Sequence, residues 1–349
     1  MTWLEIENIT QSTLTILREN MGLKAGERLL IVTDTPCPQD WQTMPLAGLQ
    51  SMLELGVLAR LMAEVAEEHF PDCHVAFCPF PATGGHGVEL DEATARRMLE
   101  ADVILAPTTF SLSHTNARLE ACRMGGRVAS MPQFEARMLA EGGPLAVDPQ
   151  AMAADVRRFA ERLSQARQVI VRTAYGTHLR FSLEGRPGQA DDGLFLEAGK
   201  WGNLPSGEAY AIPVEGSGQG RLVVPAGWYP RLDQEMALQF EAGLVTSLQG
   251  GGQAGQTFRE ALQLESNEPL YKARRNLAEL GIGCNPNARK PDNVLEAEKI
   301  KSTIHIGVGD NLHMGGLVEA DFHEDFVQPE VDLILDGQVV IESGEWRIS

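Results

Sequence analysis

Residues Lys24–Pro36, KAGERLLIVTDTP, decide how the first half of the chain is read. A turn-like Lys24-Ala25-Gly26 opens the stretch. The strand Arg28 to Val32 follows, and Thr33-Asp34-Thr35-Pro36 stops it with small polar residues and a proline. So apolar a run between two turn signals belongs at the centre of a sheet. Outward from it, Leu49, Leu53, Leu58, Leu61, Met62 and Val65 fall largely at helical spacing between Leu46 and Glu68, which predicts a helix covering one sheet face. His74 to Phe80 reads as the next strand. Leu99 to Pro107 reads as an acidic helix end running into the strand Val103 to Ala106, and Asn116 to Met124 as a helix before the strand Arg127 to Met131. Strands alternating with helices predict an α/β domain with an open, doubly wound parallel sheet over residues 1–160.

Between Pro144 and Gln168 a helix such as Met152 to Leu163 leads into a different texture. Gln168 to Thr173 and His178 to Glu184 form a hairpin around Ala174-Tyr175-Gly176-Thr177. Further strands are expected at Gly220 to Val224, Gly243 to Leu248, Ser302 to Val308, Val331 to Leu335 and Gln338 to Ile341, the last two joined by the hairpin signal Asp336-Gly337. Helices are expected at Thr257 to Leu264 and Asn293 to Lys301. Residues 161–349 therefore read as an α+β domain with a mostly antiparallel sheet.

Totals narrow the function. A chain of 349 residues with 43% apolar and 22% charged residues can build two packed domains. Lys and Arg number 29 against 48 Asp and Glu, a balance of −19 that repels phosphate backbones and anionic lipid, so neither nucleic acid nor membrane is expected as a partner. No run of about 18 apolar residues is evident, and Met1 to Glu7 carries acids where a signal peptide carries bases, which favours the cytoplasm. The five cysteines are scattered, without metal or redox spacing.

Chemistry concentrates late in the chain. His305, His313 and His323 lie close together with Asp310, Asp321, Glu324 and Asp325 interleaved. In His323-Glu324-Asp325 the outer residues are two apart, so on a strand they project from one face and can reach one metal or two adjacent ones; an isolated pair of this kind is more often surface decoration. His305, in Thr303-Ile304-His305-Ile306-Gly307-Val308-Gly309, is either a ligand or a core histidine bonded to backbone. Glu279 lies in the apolar Ala278-Glu279-Leu280-Gly281-Ile282-Gly283, and if buried it needs a cation or donor. Glu208, between Ser206-Gly207 and Ala209-Tyr210-Ala211, is placed similarly. Without further context either glutamate reads first as a solvated or salt-bridged residue. Gly250-Gly251-Gly252 and Gly84-Gly85-His86-Gly87 lack the residues that complete a phosphate loop, and Ser111 and Ser113 near His114 lack a nucleophile elbow.

Taken in order, Gly176-Thr177-His178-Leu179, Leu204-Pro205-Ser206-Gly207-Glu208, Glu279-Leu280-Gly281-Ile282-Gly283, Glu296 to Lys299, His305-Ile306-Gly307-Val308-Gly309 and His323-Glu324-Asp325 resemble the thermophilic metallo-aminopeptidases of the aminopeptidase T and S type. The resemblance implies that Glu208, Glu279, His305, His323 and Asp325 ligate two divalent ions, zinc, cobalt or manganese. It also implies a homodimer that removes N-terminal residues from peptides with a free N-terminus. One departure stands out: the family tyrosine after the His305 counterpart is missing, and His313 is the candidate catalytic residue in its place. The fold also resembles the iron-dependent 2,5-dihydroxypyridine dioxygenases, whose mononuclear iron is held by two histidines and an aspartate. In those enzymes a histidine stands at the place of Glu279, and apolar residues stand at those of Glu208 and His305. An aminopeptidase is thus the leading expectation. A ring-opening iron(II) dioxygenase and a non-catalytic peptide-binding relative are its rivals.

Overall fold

The computed structural model describes residues 6–348; of the acidic opening Met1 to Glu7, residues 1–5 lie outside the described residues. The chain divides into two compact units, one running to Gln150 and recovering Gly193–Ser206, the other comprising Ala151–Asp192 and Gly207–Ser349. The returning segment belongs to the first unit because its strand Trp201–Asn203 (β8) pairs in parallel with Arg127–Pro132 (β4).

In the first unit Arg28–Thr35 (β1), His74–Pro81 (β2) and Val103–Thr108 (β3) join β4 and β8 in the order β2-β1-β3-β4-β8, all pairings parallel. Alternation along the strands feeds two cores. Leu29 and Ile31, with Val103, Leu105, Ala129 and Met131, pack against Leu55, Leu58 and Met62 of the helix Leu46–His69. Leu30 and Val32, with Ile104, Ala106 and Val128, pack on the opposite face against Met98 and Ala121, from helices Glu92–Leu99 and Asn116–Arg123. Both faces being covered, the apolar run is satisfied as a parallel sheet requires, each buried Leu or Ile contributing ~1.5–3 kcal/mol. The two helices on this second face start at side-chain caps, Asp91 accepting from the Thr94 amide and Thr115 from that of Arg118. By length and composition Leu46–His69 is apolar enough to cross a membrane, with a mean hydropathy of 1.3 over its best window. Glu54, Arg60 and Glu64 interrupt it, so it contains no unbroken apolar run, and its inner residues form the first core.

The second unit carries two antiparallel sheets. Strands Gln168–Thr173 (β5), His178–Ser182 (β6), Gln219–Val224 (β10), Met236–Glu241 (β11), Leu244–Gly250 (β12), Val331–Leu335 (β16), Gln338–Glu342 (β17) and Glu345–Trp346 (β18) form one, in the order β12-β11-β10-β6-β5-β16-β17-β18. Strands Gln189–Asp191 (β7), Glu208–Ala211 (β9), Leu277–Gly283 (β13), Ile304–Gly309 (β14) and His323–Gln328 (β15) form the other, in the order β15-β14-β13-β9-β7. The expected α/β and α+β classes are thus observed. The expected helix Asn293 to Lys301 shrinks to Val294–Ala297, because beyond it the Lys299 carbonyl accepts from the Asn285 amide and Ile300 bridges to Asn285.

The Asp336-Gly337 hairpin is built as its residues require. Both have positive φ, 49° and 82°, and the Asp336 carboxylate accepts from the Gln168 amide of the neighbouring strand. An added Cβ at Gly337 would meet nothing within 4 Å, so Gly337→Ala isolates the backbone cost. A loss of ~1–2 kcal/mol in urea unfolding is expected, and an unchanged midpoint would show that the left-handed geometry is not needed.

Candidate metal centre

The five-stranded sheet gathers the candidate ligands by register. Residues paired across antiparallel strands share a face. Asp325 pairs with Gly307, which pairs with Glu279; His323 pairs with Gly309; His305 pairs with Gly281; and Glu208 pairs with Gly283. Every candidate ligand therefore stands opposite a glycine. The glycines clear the space the ligands occupy: an added Cβ on Gly307 would stand 2.7 Å from Glu279 Cβ, 3.0 Å from Asp325 Oδ1 and 3.1 Å from His323 Cε1. The Gly-x-Gly pairs on β13 and β14 thus form the floor of the site, and Asp191, paired with Glu208, extends the same face.

Imidazoles and carboxylates interleave on this floor. His323 Nε2 lies 3.4 Å from Glu279 Oε2 and 3.3 Å from Asp325 Oδ2, and His305 Nε2 lies 3.5 Å from both Glu279 Oε1 and Glu208 Oε2. His323 Nδ1 sits 2.7 Å from the Asp310 carbonyl. That bond requires a proton on Nδ1, so Nε2 is the nitrogen turned to the carboxylates and the one that can bind a metal on losing its proton. Among the described residues, Glu279, His323 and Asp325 are the group whose ligand atoms all lie within 4.8 Å of one another.

Burial pushes Glu279 up, but its hydrogen bonds with His305 and His323 outweigh this and hold its carboxyl well below the usual range. Burial alone would depress both imidazoles. Instead Glu279, Asp325 and Glu208 raise His305 to about 10, and Asp325 and Glu279 carry His323 well above its ordinary value. A field that holds protons this tightly is one that a divalent cation can replace, with release of those protons. Buried polar atoms without a hydrogen bond point the same way: Glu208 Oε2, His305 Nδ1 and Asp325 Oδ1. Nitrogen and oxygen donors without thiolate suit iron(II), zinc or manganese. The residues present fit a metal ion.

Several neighbours carried no assigned role in the sequence. Lys299 is fully buried, with its ammonium 2.5 Å from Glu208 Oε1, 3.0 Å from Glu298 Oε2 and 3.7 Å from Asp191 Oδ2. Burial opposes its charge, yet Glu208, Glu298 and Asp191 hold its pKa well above the ordinary lysine value. Burial, only partly offset by Lys299, lifts Asp191 to about 7 and Glu298 to about 8. Tyr210 shares the ligand face, and its hydroxyl donates to Gln189 Oε1. No spacing rule marks these residues, because they converge only through sheet pairing. His313, the candidate catalytic residue, lies in the turn Leu312–Met314 with Nδ1 against the Asp310 carboxylate and its ring 6.1 Å from that of His323. Beside Asp325 lies a narrow cleft of about 20 Å³, lined by Trp228, Tyr229, Pro230, Pro291, Glu298 and Glu324 among others. The Tyr229 hydroxyl donates to Glu324 at 2.7 Å.

Comparison with known proteins corrects the expected reaction. The family model described as NicX, 2,5-dihydroxypyridine 5,6-dioxygenase, matches residues 18–347. The 2,5-dihydroxypyridine 5,6-dioxygenase of Pseudomonas putida is 26% identical over 269 residues, 72% of this chain and 73% of that protein. The solved structure of 2,5-dihydroxypyridine dioxygenase from Pseudomonas putida superposes with a TM-score of 0.73 at 19% identity, covering 99% of each chain. Wild-type AmpT from Thermus thermophilus superposes at 0.65 and 15% identity, covering 98% of this chain and 99% of that one. The likeness to the aminopeptidase is therefore one of fold. The expectation of a hydrolase that trims peptides is overturned by the family match, which spans nearly the whole chain. Its error was to read donor types as a reaction, whereas one nitrogen and oxygen set can hold metals of different chemistry.

Proposed function

The chain belongs to the 2,5-dihydroxypyridine 5,6-dioxygenase family, and from that premise we propose that it is a metal-dependent dioxygenase opening a dihydroxylated nitrogen-heteroaromatic ring. Glu279, His323 and Asp325 hold one divalent ion in this reading, iron(II), in place of the pair of zinc, cobalt or manganese ions expected of an aminopeptidase. The observation that carries it is their compactness, all ligand atoms within 4.8 Å, on a face where glycines leave room for the donors. Glu279 stands where the dioxygenase resemblance has a histidine, so the site is richer in carboxylate.

When bound, iron(II) supplies the one-electron chemistry through which dioxygen reacts with an electron-rich ring. This chain's own groups do the rest. Trp228, Pro230 and Pro291 put apolar surface beside Asp325, against which a ring brought to the metal would pack once the narrow cleft widens, and Tyr229 is held in place by Glu324. Glu298 and Glu324 line the same cleft, which favours a neutral ring with hydroxyl or N–H donors over an anionic one. His313, braced by Asp310 beside His323, is suited to take the proton of a ring hydroxyl.

Iron(II) added anaerobically to metal-stripped protein, followed by 2,5-dihydroxypyridine and oxygen, tests the proposal. Oxygen uptake matching the loss of ring absorbance is expected, and only with iron bound. Folded, iron-loaded protein that consumes no oxygen with any dihydroxylated ring would overturn it.

A further inference from the structure

We propose that Glu215 is a positioning residue that holds His313 at the metal centre by clamping the loop 310–318 to the neighbouring sheet. The inference rests on the reading that His313 takes the proton of a ring hydroxyl. Packing does not place His313: it lies in the turn Leu312–Met314, its side chain is 38% exposed, and Gly315 and Gly316 follow it. Its Nδ1 meets the Asp310 carboxylate, so the ring goes where the loop goes. Hydrogen bonds do here what burial does elsewhere. Asn311, wholly buried, closes the loop by accepting from the Val318 amide at 2.9 Å, and the Asp310 carboxylate accepts from the Ala320 amide at 3.0 Å.

What ties this loop down is Glu215. Its Oε1 accepts from Asn311 Nδ2 at 3.1 Å and from the Leu317 amide at 2.9 Å, while its Oε2 accepts from the Arg186 guanidinium, which also donates to the Gly315 carbonyl at 3.3 Å. Gln189 adds a further tie, its Nε2 donating to the Met314 carbonyl at 2.8 Å. Asn311, Met314, Gly315 and Leu317 are thus held on both sides of His313. Glu215 is itself anchored in the turn 214–217 between β9 and β10: the Val214 amide donates to the Ser182 carbonyl, and the Ser217 hydroxyl accepts from the Ser182 amide, at the end of β6 in the eight-stranded sheet. Burial pushes the Glu215 carboxyl up, but backbone amides, that of Leu317 among them, and the Arg186 charge hold it below the usual range, so it serves all three donors as a carboxylate. Without it the buried Asn311 side chain loses that acceptor and the loop is released, and a reacting group misplaced by about 1 Å costs ~100-fold in rate.

Turnover of 2,5-dihydroxypyridine by iron-loaded wild type, His313→Ala, Glu215→Ala and the double variant tests this. His313→Ala is expected to lower kcat by ~10²–10⁴-fold, and Glu215→Ala by ~10–100-fold, with KM and iron content unchanged in both. The double variant should be no slower than His313→Ala, because a displaced base and an absent one lose the same step. Losses that multiply in the double variant, or a Glu215→Ala that sheds iron or changes only KM, would overturn the clamp. A His313→Ala as fast as wild type would instead remove the reading beneath it. The histidine Cε1–H resonance that disappears in His313→Ala reports the same displacement without turnover: in metal-free protein Glu215→Ala is expected to shift or broaden it, and an unchanged resonance would overturn the proposal. Should Glu215→Ala not fold, Glu215→Gln takes its place. It keeps an acceptor for Asn311 and Leu317 but turns an amide towards Arg186, so a smaller kcat loss is expected, again absent in the His313→Ala background, and a loss that persists there would sink the inference.

Discussion

His323→Ala is expected to leave a folded protein that no longer retains a divalent ion. The imidazole stands between Glu279 and Asp325, 3.4 and 3.3 Å from their oxygens, and its tautomer is set by the Asp310 carbonyl. Removing an outer partner of a metal ligand typically costs ~10–100-fold in affinity, and loss of one of three donors exceeds that. The fold should survive, since His323 is only half-buried and begins the edge strand β15, whose buried residues Phe326 and Val327 are untouched. Without metal the variant also loses the contacts that relieve two carboxylates, a cost of ~1–3 kcal/mol. Metal content after dialysis and thermal unfolding with and without iron(II) check both statements. A variant that keeps a full equivalent at wild-type affinity would remove His323 from the ligand set.

Gly281→Ala should damage the same site through packing alone. Gly281 lies beneath His305, and an added Cβ would stand 2.7 Å from His305 Nδ1 and closer still to Cε1 and Nε2. His305 is 1% exposed and cannot retreat. The ring must turn, abandoning its 3.5 Å approaches to Glu208 and Glu279. Overpacking of this kind costs ~1–3 kcal/mol, and the displaced imidazole unsettles Glu279, so iron affinity should fall together with the urea midpoint. Gly56→Ala is the control: it lies inside the helix Leu46–His69, where an added Cβ meets nothing within 4 Å. There the helix gains ~0.5–1 kcal/mol. If both variants behaved alike, the glycine opposite His305 would be incidental.

Much of the first unit was legible because its signals are local. The unbroken run Leu29 to Val32 needs cover on both faces wherever it sits, and Leu29 and Ile31 do enter one core while Leu30 and Val32 enter the other. Strands β9 and β13 were not read as strands. Glycines and a buried glutamate weaken the β pattern of Leu277–Gly283, and those residues are there for the site they floor. The reaction was misread for a related reason: donor identity is visible in a sequence, whereas the metal that fills the donors is not.

By itself the sequence determined what depends on near neighbours along the chain: the parallel sheet of the first half, the hairpin at Asp336-Gly337, and the common face of His323 and Asp325. Tertiary structure alone decided that Glu208 and Glu279 meet those residues across β9, β13, β14 and β15, that a glycine lies opposite each, and that Lys299 turns inward onto Glu208. The reason is physical. Side-chain period follows from covalent geometry over a few residues, but which strands pair, and in what register, is settled by burial and hydrogen bonding summed over the whole unit.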